Sequence, residues 1–178
     1  GSFARTYRGH GTDRALVAGI LGYQTDDERI RDSFEHAHAA GVEFEFIENF
    51  TETEVYPNTV DVYVKDENGN EVSLRGESIG GGNAVITKLN GVDVELTGNY
   101  NTLVVEHIDK KGVLAFLTAI LSANEINIAT LRLFREGKGK KATTIIEVDS
   151  EASNQVVATL YGLEAVKNVI VVPRIKMD

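Results

Sequence analysis

Residues 102–172 alternate between strand-like and helix-like patterns in the order β-α-β-β-α-β, which constrains the fold more than any other feature of the chain. The run 102–108 is apolar at nearly every position, and 111–123 places apolar residues at helical spacing. The same patterns predict a helix over 151–161 and strands over 127–134, 142–148 and 166–172. Right-handed crossovers would place both helices on one face of a four-stranded sheet, and the opposite face would need a partner or a second sheet.

This order is the ferredoxin-like split βαβ arrangement. Before it, the sequence predicts helices over 14–22 and from Thr25 to about Ala40, and an alternating strand over 42–46. A strand-rich block follows, in which Asn90-Gly91 joins 85–89 to 92–96 as a type I′ hairpin. We therefore predict an α+β fold with an N-terminal mixed α/β domain, 1–98, and a C-terminal ferredoxin-like domain, 99–178.

Composition excludes several classes of function. The 178 residues carry a formal net charge of −9, which argues against a nucleic-acid backbone as partner. No apolar run approaches the roughly 20 residues of a membrane span. There is no cysteine, so this chain forms no disulfide and has no thiolate to hold a cluster. His36 and His38 are two apart, so on a helix they would not share a face, and we predict no metal site.

The segment Gly9-His10-Gly11-Thr12-Asp13 is the strongest candidate for chemistry. Its glycines permit a tight turn, and Thr12 or Asp13 would cap the following helix. His10 would then lie just ahead of a helix N-terminus, which favours an anion, and histidine exchanges protons near neutral pH. An ordinary capped turn with a surface histidine is the alternative.

A second candidate is the glycine-rich stretch 75–82, which interrupts a strand pattern. One interpretation is a bulge or a wide turn. The other is a nest of backbone amides around an anion, assisted by the Ser78 hydroxyl and formed by Gly80, Gly81 and Gly82.

The second half resembles an ACT domain, a small regulatory module that binds amino acids. The resemblance rests on 109–114 between the first strand and the first helix, and on 125–129 at the entry to the second strand. In that family the glycine at 112 meets the effector, commonly between two ACT domains, and a proline usually stands where this chain has Lys111. The resemblance implies effector-binding residues at Asp109, Lys111, Gly112, Val113, Leu114 and Asn127. A ferredoxin-like domain without a ligand is the alternative.

The first half resembles the β chain of bacterial iron–sulfur-dependent L-serine dehydratases, through residues 1–4, 9–13 and 78–82. The resemblance implies conversion of L-serine to pyruvate and ammonia at a [4Fe–4S] cluster that a separate α chain holds, so this chain alone would be inactive. It implies pocket residues His10, Thr12 and Asp13, with substrate contacts from Gly9, Gly11, Ser78, Gly80, Gly81 and Gly82. His10 would act either as proton carrier or as substrate anchor.

We predict two further partners. One is L-serine or another amino acid as ligand, and the other is a second copy of the chain, bound edge to edge or face to face through the exposed sheet of the ACT domain. The resemblance also implies a cytoplasmic enzyme with a serine-rich, histidine-containing segment upstream of residue 1. Two alternatives differ in class: a regulatory module cut from a phosphoglycerate dehydrogenase, whose allosteric substrate-binding domain the first half also resembles, and a free amino-acid-binding protein. The 9–13 motif favours the dehydratase, as does the absence of a Gly-x-Gly-x-x-Gly fingerprint.

Overall fold

The structure of the chain, a computed structural model, describes residues 3–52 and 55–175. Its backbone contacts divide the chain into two compact units, one of 1–61 with 77–82 and the other of 62–76 with 83–178. No helix in the described part is long and apolar enough to cross a membrane. The mixture of helices with two four-stranded sheets confirms the predicted α+β class.

The helices of the first unit are short. They are α1 (Phe3–Thr6), α2 (Thr12–Ile20), a 3-10 helix (Glu28–Asp32) and α3 (Ser33–Ala39), which continues the 3-10 helix. The buried Ser33 hydroxyl donates to the Arg14 carbonyl at 2.9 Å and so ties α3 to α2.

Asp27 caps the 3-10 helix, within the stretch where the sequence predicted a helix start. Its carboxylate accepts from the Arg29 amide and from the Arg29 guanidinium, both at 2.9 Å. These hydrogen bonds to Arg29 lower the pKa of Asp27 to about 2. The capping charge is therefore retained down to strongly acidic pH.

The predicted strand over 42–46 is wrong, because this segment has no strand structure. Its alternation still describes the side chains, since Phe44 and Phe46 are half-buried and the glutamates between and before them are exposed. Phe44 lies 5.0 Å from the Phe34 ring, and Phe46 lies 5.6 Å from the Tyr7 ring, between centroids. The apolar side chains of this segment are therefore buried against Phe34 of α3 and against Tyr7, and not against a neighbouring strand.

The first sheet consists of β1 (Thr59–Lys65), β2 (Glu71–Gly80), β3 (Asn83–Leu89) and β4 (Val92–Leu96), in that spatial order. Asn90 and Gly91 have φ values of 48° and 78°, as the predicted type I′ hairpin requires. The predicted interruption of the strand from residue 75 is wrong, because β2 continues through Gly80. Gly80, Gly81 and Gly82, with φ of 90°, 62° and 79°, instead form the turn from β2 to β3.

The second sheet confirms the ferredoxin-like prediction. It contains β5 (Asn101–Ile108), β6 (Ile128–Arg135), β7 (Lys141–Val148) and β8 (Val166–Val172), in the antiparallel order β6-β7-β5-β8. The helices α4 (Val113–Ala123) and α5 (Asn154–Leu160) connect the strands as predicted. Their apolar side chains pack on Leu103 and Val105 of β5.

The opposite face of β5 is covered within the same unit. Val104 of β5 and Ile145 of β7 form a second core with Leu89, Val94 and Leu96 from β3 and β4. Burial on both faces explains why β5 is apolar at nearly every position. The sequence required a partner or another sheet on this face of the ferredoxin-like sheet, and strands β3 and β4 of the first sheet provide it.

Leu96→Ala should test this packing between sheets. Leu96 is buried against Val104 and Ile145, so we expect its truncation to lower the free energy of unfolding by about 2–5 kcal/mol. Val171→Ala, at a side chain 38% exposed, should change it by only about 0.5 kcal/mol. Urea denaturation of both variants measures the difference, and equal small losses would mean that the sheets do not share a core.

Candidate functional site

The residues around Gly11 form a junction between two helical segments. The Thr12 amide donates to the Tyr7 carbonyl at 2.9 Å, and the Gly11 amide donates to the Arg8 carbonyl at 3.2 Å. With Gly11 at a φ of 68°, these two bonds are those of a Schellman motif, which ends a helical turn with a left-handed residue. Gly11 is also the residue that precedes α2, so one glycine ends the first segment and starts the second.

This junction presents His10 to solvent. The His10 amide donates to the Thr6 carbonyl at 3.2 Å, which holds its backbone against α1. Its side chain is exposed and makes no hydrogen bond with any residue in the described ranges. His10 lies ahead of α2, as predicted, and its imidazole is accessible for proton exchange with a ligand.

The predicted cap by Thr12 or Asp13 is wrong. Gly11 occupies the N-cap position without a side-chain bond, and Thr12 and Asp13 belong to the first turn of α2. The Asp13 carboxylate accepts from the Arg14 amide at 2.9 Å. Because the Thr12 and Arg14 amides have partners and Asp13 adds negative charge, the start of α2 is a poorer anion site than the sequence suggested.

Arg8 is the residue of this loop that sequence reasoning missed. Its Nε donates to the Tyr7 hydroxyl at 2.9 Å, and that hydroxyl donates to Glu48 at 3.4 Å. The hydrogen bond to Tyr7, with smaller effects of Glu48 and Asp13, raises the pKa of Arg8. The signal in the sequence was an arginine directly before the Gly-His-Gly motif.

Ser78 lies near the end of β2, next to the β2–β3 glycine turn. Its amide donates to the Asn58 carbonyl at 3.0 Å, and the Phe3 amide donates to the neighbouring Pro57 carbonyl at 3.2 Å. Two successive residues thus hold Ser78 and the start of α1 close to each other. Gly80 to Gly82 are exposed, and their contact with a ligand stays a prediction, as does that of Gly9 and Gly11.

The predicted effector residues fall at two places in the second unit. Gly112 directly precedes α4 with a φ of 86°, and the Asp109 carboxylate lies 3.3 Å from the Arg135 guanidinium at the same end of the sheet. Asn127 follows the far end of α4 and donates to the Asp149 carboxylate at 2.6 Å. Since the 11 residues of α4 span about 16 Å, Asn127 does not join the 109–114 loop within one chain.

The loop itself still offers a ligand backbone groups. The amides of Leu114 and Ala115 belong to the first turn of α4 and have no acceptor within the helix. A Cβ added at Gly112 would meet no atom within 4 Å, although its left-handed φ would strain any other residue. Lys111 is exposed, and Val113 is buried as the first residue of α4.

The other histidines have structural surroundings. His36 Nδ1 lies 3.0 Å from the Tyr23 hydroxyl, and His38 stacks near Phe44. His107 is 2% exposed, and its Nε2 lies 2.8 Å from the Thr144 hydroxyl. Within residues 3–52 and 55–175, no three side chains of the types that bind metals come together.

Two known proteins are similar to nearly the whole chain. No protein-family model matches the chain. It is 37% identical, over 92% of its length and 74% of the relative, to a protein described as "L-serine dehydratase, beta chain" from Peptoniphilus asaccharolyticus. It is 40% identical, over 98% of its length and 77% of the relative, to "Probable L-serine dehydratase, beta chain" from Bacillus subtilis.

A further relative shares a smaller region. D-3-phosphoglycerate dehydrogenase from Bacillus subtilis is 27% identical over 47% of this chain and 16% of that protein. The two longer matches identify the class. The chain belongs to the family of L-serine dehydratase β chains.

Gly11→Ala tests the geometry of the junction. Alanine at a φ of 68° should cost about 1–2 kcal/mol of folding free energy, because its Cβ is strained in the left-handed region. Gly9→Ala is the matched control, since its Cβ would meet only the Thr6 carbonyl at an ordinary 3.6 Å. Chemical denaturation gives the free energy of unfolding of both variants, and equal stability would rule out a left-handed Gly11.

Proposed function

We propose that this chain is the β subunit of an enzyme that converts L-serine to pyruvate and ammonia. The observation that carries the proposal is the similarity to two named β chains along 92–98% of the sequence. The accessible Gly-His-Gly-Thr-Asp loop supplies chemistry that fits it. The proposed functional modules are 1–98, which contributes to the active site, and 99–178, the ACT domain.

The chain's own residues do not fit a [4Fe–4S] cluster. Such clusters are held by cysteine thiolates, and this sequence contains no cysteine. We propose that a separate α chain holds the cluster and that the β chain alone is inactive. Large apolar side chains exposed on the first unit, including Ile20 and Ile47, offer a partner chain apolar surface.

His10 would act at the α-carbon of serine or hold a polar group next to it. Dehydration removes the α-proton and the β-hydroxyl, and the resulting enamine reacts with water to give pyruvate and ammonia. A neutral imidazole can accept the α-proton, and the exposed position of His10 allows the approach. Thr12 and Asp13 would contribute hydrogen bonds in the same pocket, and Ser78 with Gly80 to Gly82 would approach the substrate from the β2–β3 turn.

The ACT domain would bind an amino-acid effector and pair two chains. The effector's carboxylate would meet the amides at the start of α4, beside Asp109, Lys111 and Gly112. Because the face of β5 opposite the helices is already covered, we propose pairing through the outer strands β6 or β8 rather than face to face. Asn127 would then contact an effector bound by the partner's loop.

The regulatory alternative has less support. The match to phosphoglycerate dehydrogenase covers half of the chain at lower identity, whereas the β-chain matches cover nearly all of it. The dehydratase assignment therefore accounts for both halves of the sequence.

The test is the pyruvate formed from L-serine by this chain together with its α chain, prepared without oxygen. We expect His10→Ala to lower kcat/KM by at least ~100-fold, the lower range for a positioned proton-transfer group. His38→Gln, at an exposed histidine outside the loop, is the control and should have wild-type activity.

His10→Gln separates the two roles of His10. Glutamine forms hydrogen bonds but does not accept a proton, so if His10 is the base, His10→Gln should be as inactive as His10→Ala. If His10 only anchors the substrate, His10→Gln should recover kcat and mainly raise KM. Near-normal turnover by His10→Ala would remove His10 from the active site.

A further inference from the structure

We propose that Arg8 binds the α-carboxylate of the amino-acid substrate in the His10 site. The inference rests on the proposed function and names a substrate-binding residue outside the Gly9–Asp13 motif. The ligand class that it specifies is a zwitterionic α-amino acid.

The Arg8 guanidinium is hydrogen-bonded through Nε, and its two Nη groups are open to a ligand. Arg8 Nε donates to the Tyr7 hydroxyl at 2.9 Å, and Tyr7, only 7% exposed, is fixed by its ring contact with Phe46. In the described part of the chain, the two Nη groups have no hydrogen-bond partner. Two adjacent N–H groups on a fixed guanidinium are suited to a carboxylate.

The backbone places Arg8 and His10 in one turn. Arg8 and Gly11 are the first and fourth residues of a turn closed by the 3.2 Å hydrogen bond, so their Cα atoms lie within about 7 Å. His10 is the third residue of that turn. In an α-amino acid the carboxyl group is bonded to the carbon that loses its proton, so the proposal requires Arg8 and His10 to meet one ligand. Spacing by two would place residues inside a helix on different faces. Here the helical turn ends at Gly11, and the proposal requires the long Arg8 side chain to reach the ligand that His10 contacts.

The other cations near the loop have different contacts. The Arg14 guanidinium donates to the Arg31 carbonyl and lies 5.8 Å from the Phe34 ring centroid. The Arg5 guanidinium lies 5.9 Å from the Phe50 ring centroid, a contact like that of Arg8 with the Tyr7 ring at 5.4 Å, but within the described ranges no hydrogen bond orients it as Nε to Tyr7 orients Arg8. The start of α2 carries the Asp13 carboxylate, which repels an anion there. Arg8 is therefore the cation best placed for the carboxylate.

Carboxylates near Arg8 favour a zwitterionic ligand over a purely anionic one. Glu48 and Asp13 lie close enough to Arg8 to contribute to its raised pKa, after the larger effect of Tyr7. A ligand with negative charge alone would meet their repulsion as well as the attraction of Arg8. An amino acid also brings an ammonium group, which these carboxylates favour.

The experiment measures steady-state kinetics of the two-chain enzyme with Arg8→Gln, Arg8→Lys and the control Arg5→Gln. We expect Arg8→Gln to raise KM for L-serine at least ~10-fold with kcat within about threefold, as loss of a charged hydrogen bond in the bound substrate predicts. Arg8→Lys should recover part of the affinity, because lysine keeps the positive charge but lacks the two parallel N–H donors of the guanidinium. Arg5→Gln should match wild type.

Competitive inhibitors separate a binding role from a structural one. L-Alanine retains the carboxylate, so its inhibition constant should rise in Arg8→Gln in parallel with KM. Ethanolamine lacks the carboxylate, so its inhibition constant should not change. An unchanged KM in Arg8→Gln, or equal weakening of both inhibitors, would overturn the inference while the proposed function stood. If the wild-type pair formed no pyruvate, the proposed function would fail first, and the inference with it.

Discussion

A single left-handed glycine determines how the candidate site is built. Gly11 ends one helical turn with two hydrogen bonds and directly precedes α2, so one helical segment stops and the next begins at a single residue. A side chain at this φ is costly, and without this break His10 would continue a helix instead of standing at its exposed end. The same turn places Arg8 two residues from His10. The chemistry proposed for the loop therefore follows from one backbone conformation.

The rest of each unit supports its own functional element by packing. In the first unit, Phe44 and Phe46 pack against Phe34 and Tyr7, and the fixed Tyr7 hydroxyl positions Arg8. In the second unit, β5 is buried between the helices and the first sheet, which fixes the strand that leads into the Asp109–Gly112 loop. An effector bound at this loop, as proposed, would contact a strand that is held on both faces.

The sequence predicted those features that depend on local pattern. The β5 run, the Asn90-Gly91 hairpin and the order of the last six elements all follow from periodicity and turn chemistry. It did not predict that 42–46 lacks a strand, because alternation reports which side chains are buried and not whether a neighbouring strand exists. It misplaced the cap at Thr12 or Asp13, since a glycine shared by two helical segments is recognised only from its backbone conformation and from hydrogen bonds such as that of the Thr12 amide to the Tyr7 carbonyl. Arg8 was missed because the use of its guanidinium depends on Tyr7 and Glu48, 41 residues apart.

The most direct test of the account is a crystal structure of the two-chain enzyme with L-serine bound. Productive proton transfer requires reacting atoms about 3–3.5 Å apart. We expect a His10 ring nitrogen at that distance from either the α-carbon of serine or a polar atom bonded to it, and the serine carboxylate on the Arg8 guanidinium. Serine bound at the cluster with no atom of residues 8–13 in contact would contradict this expectation.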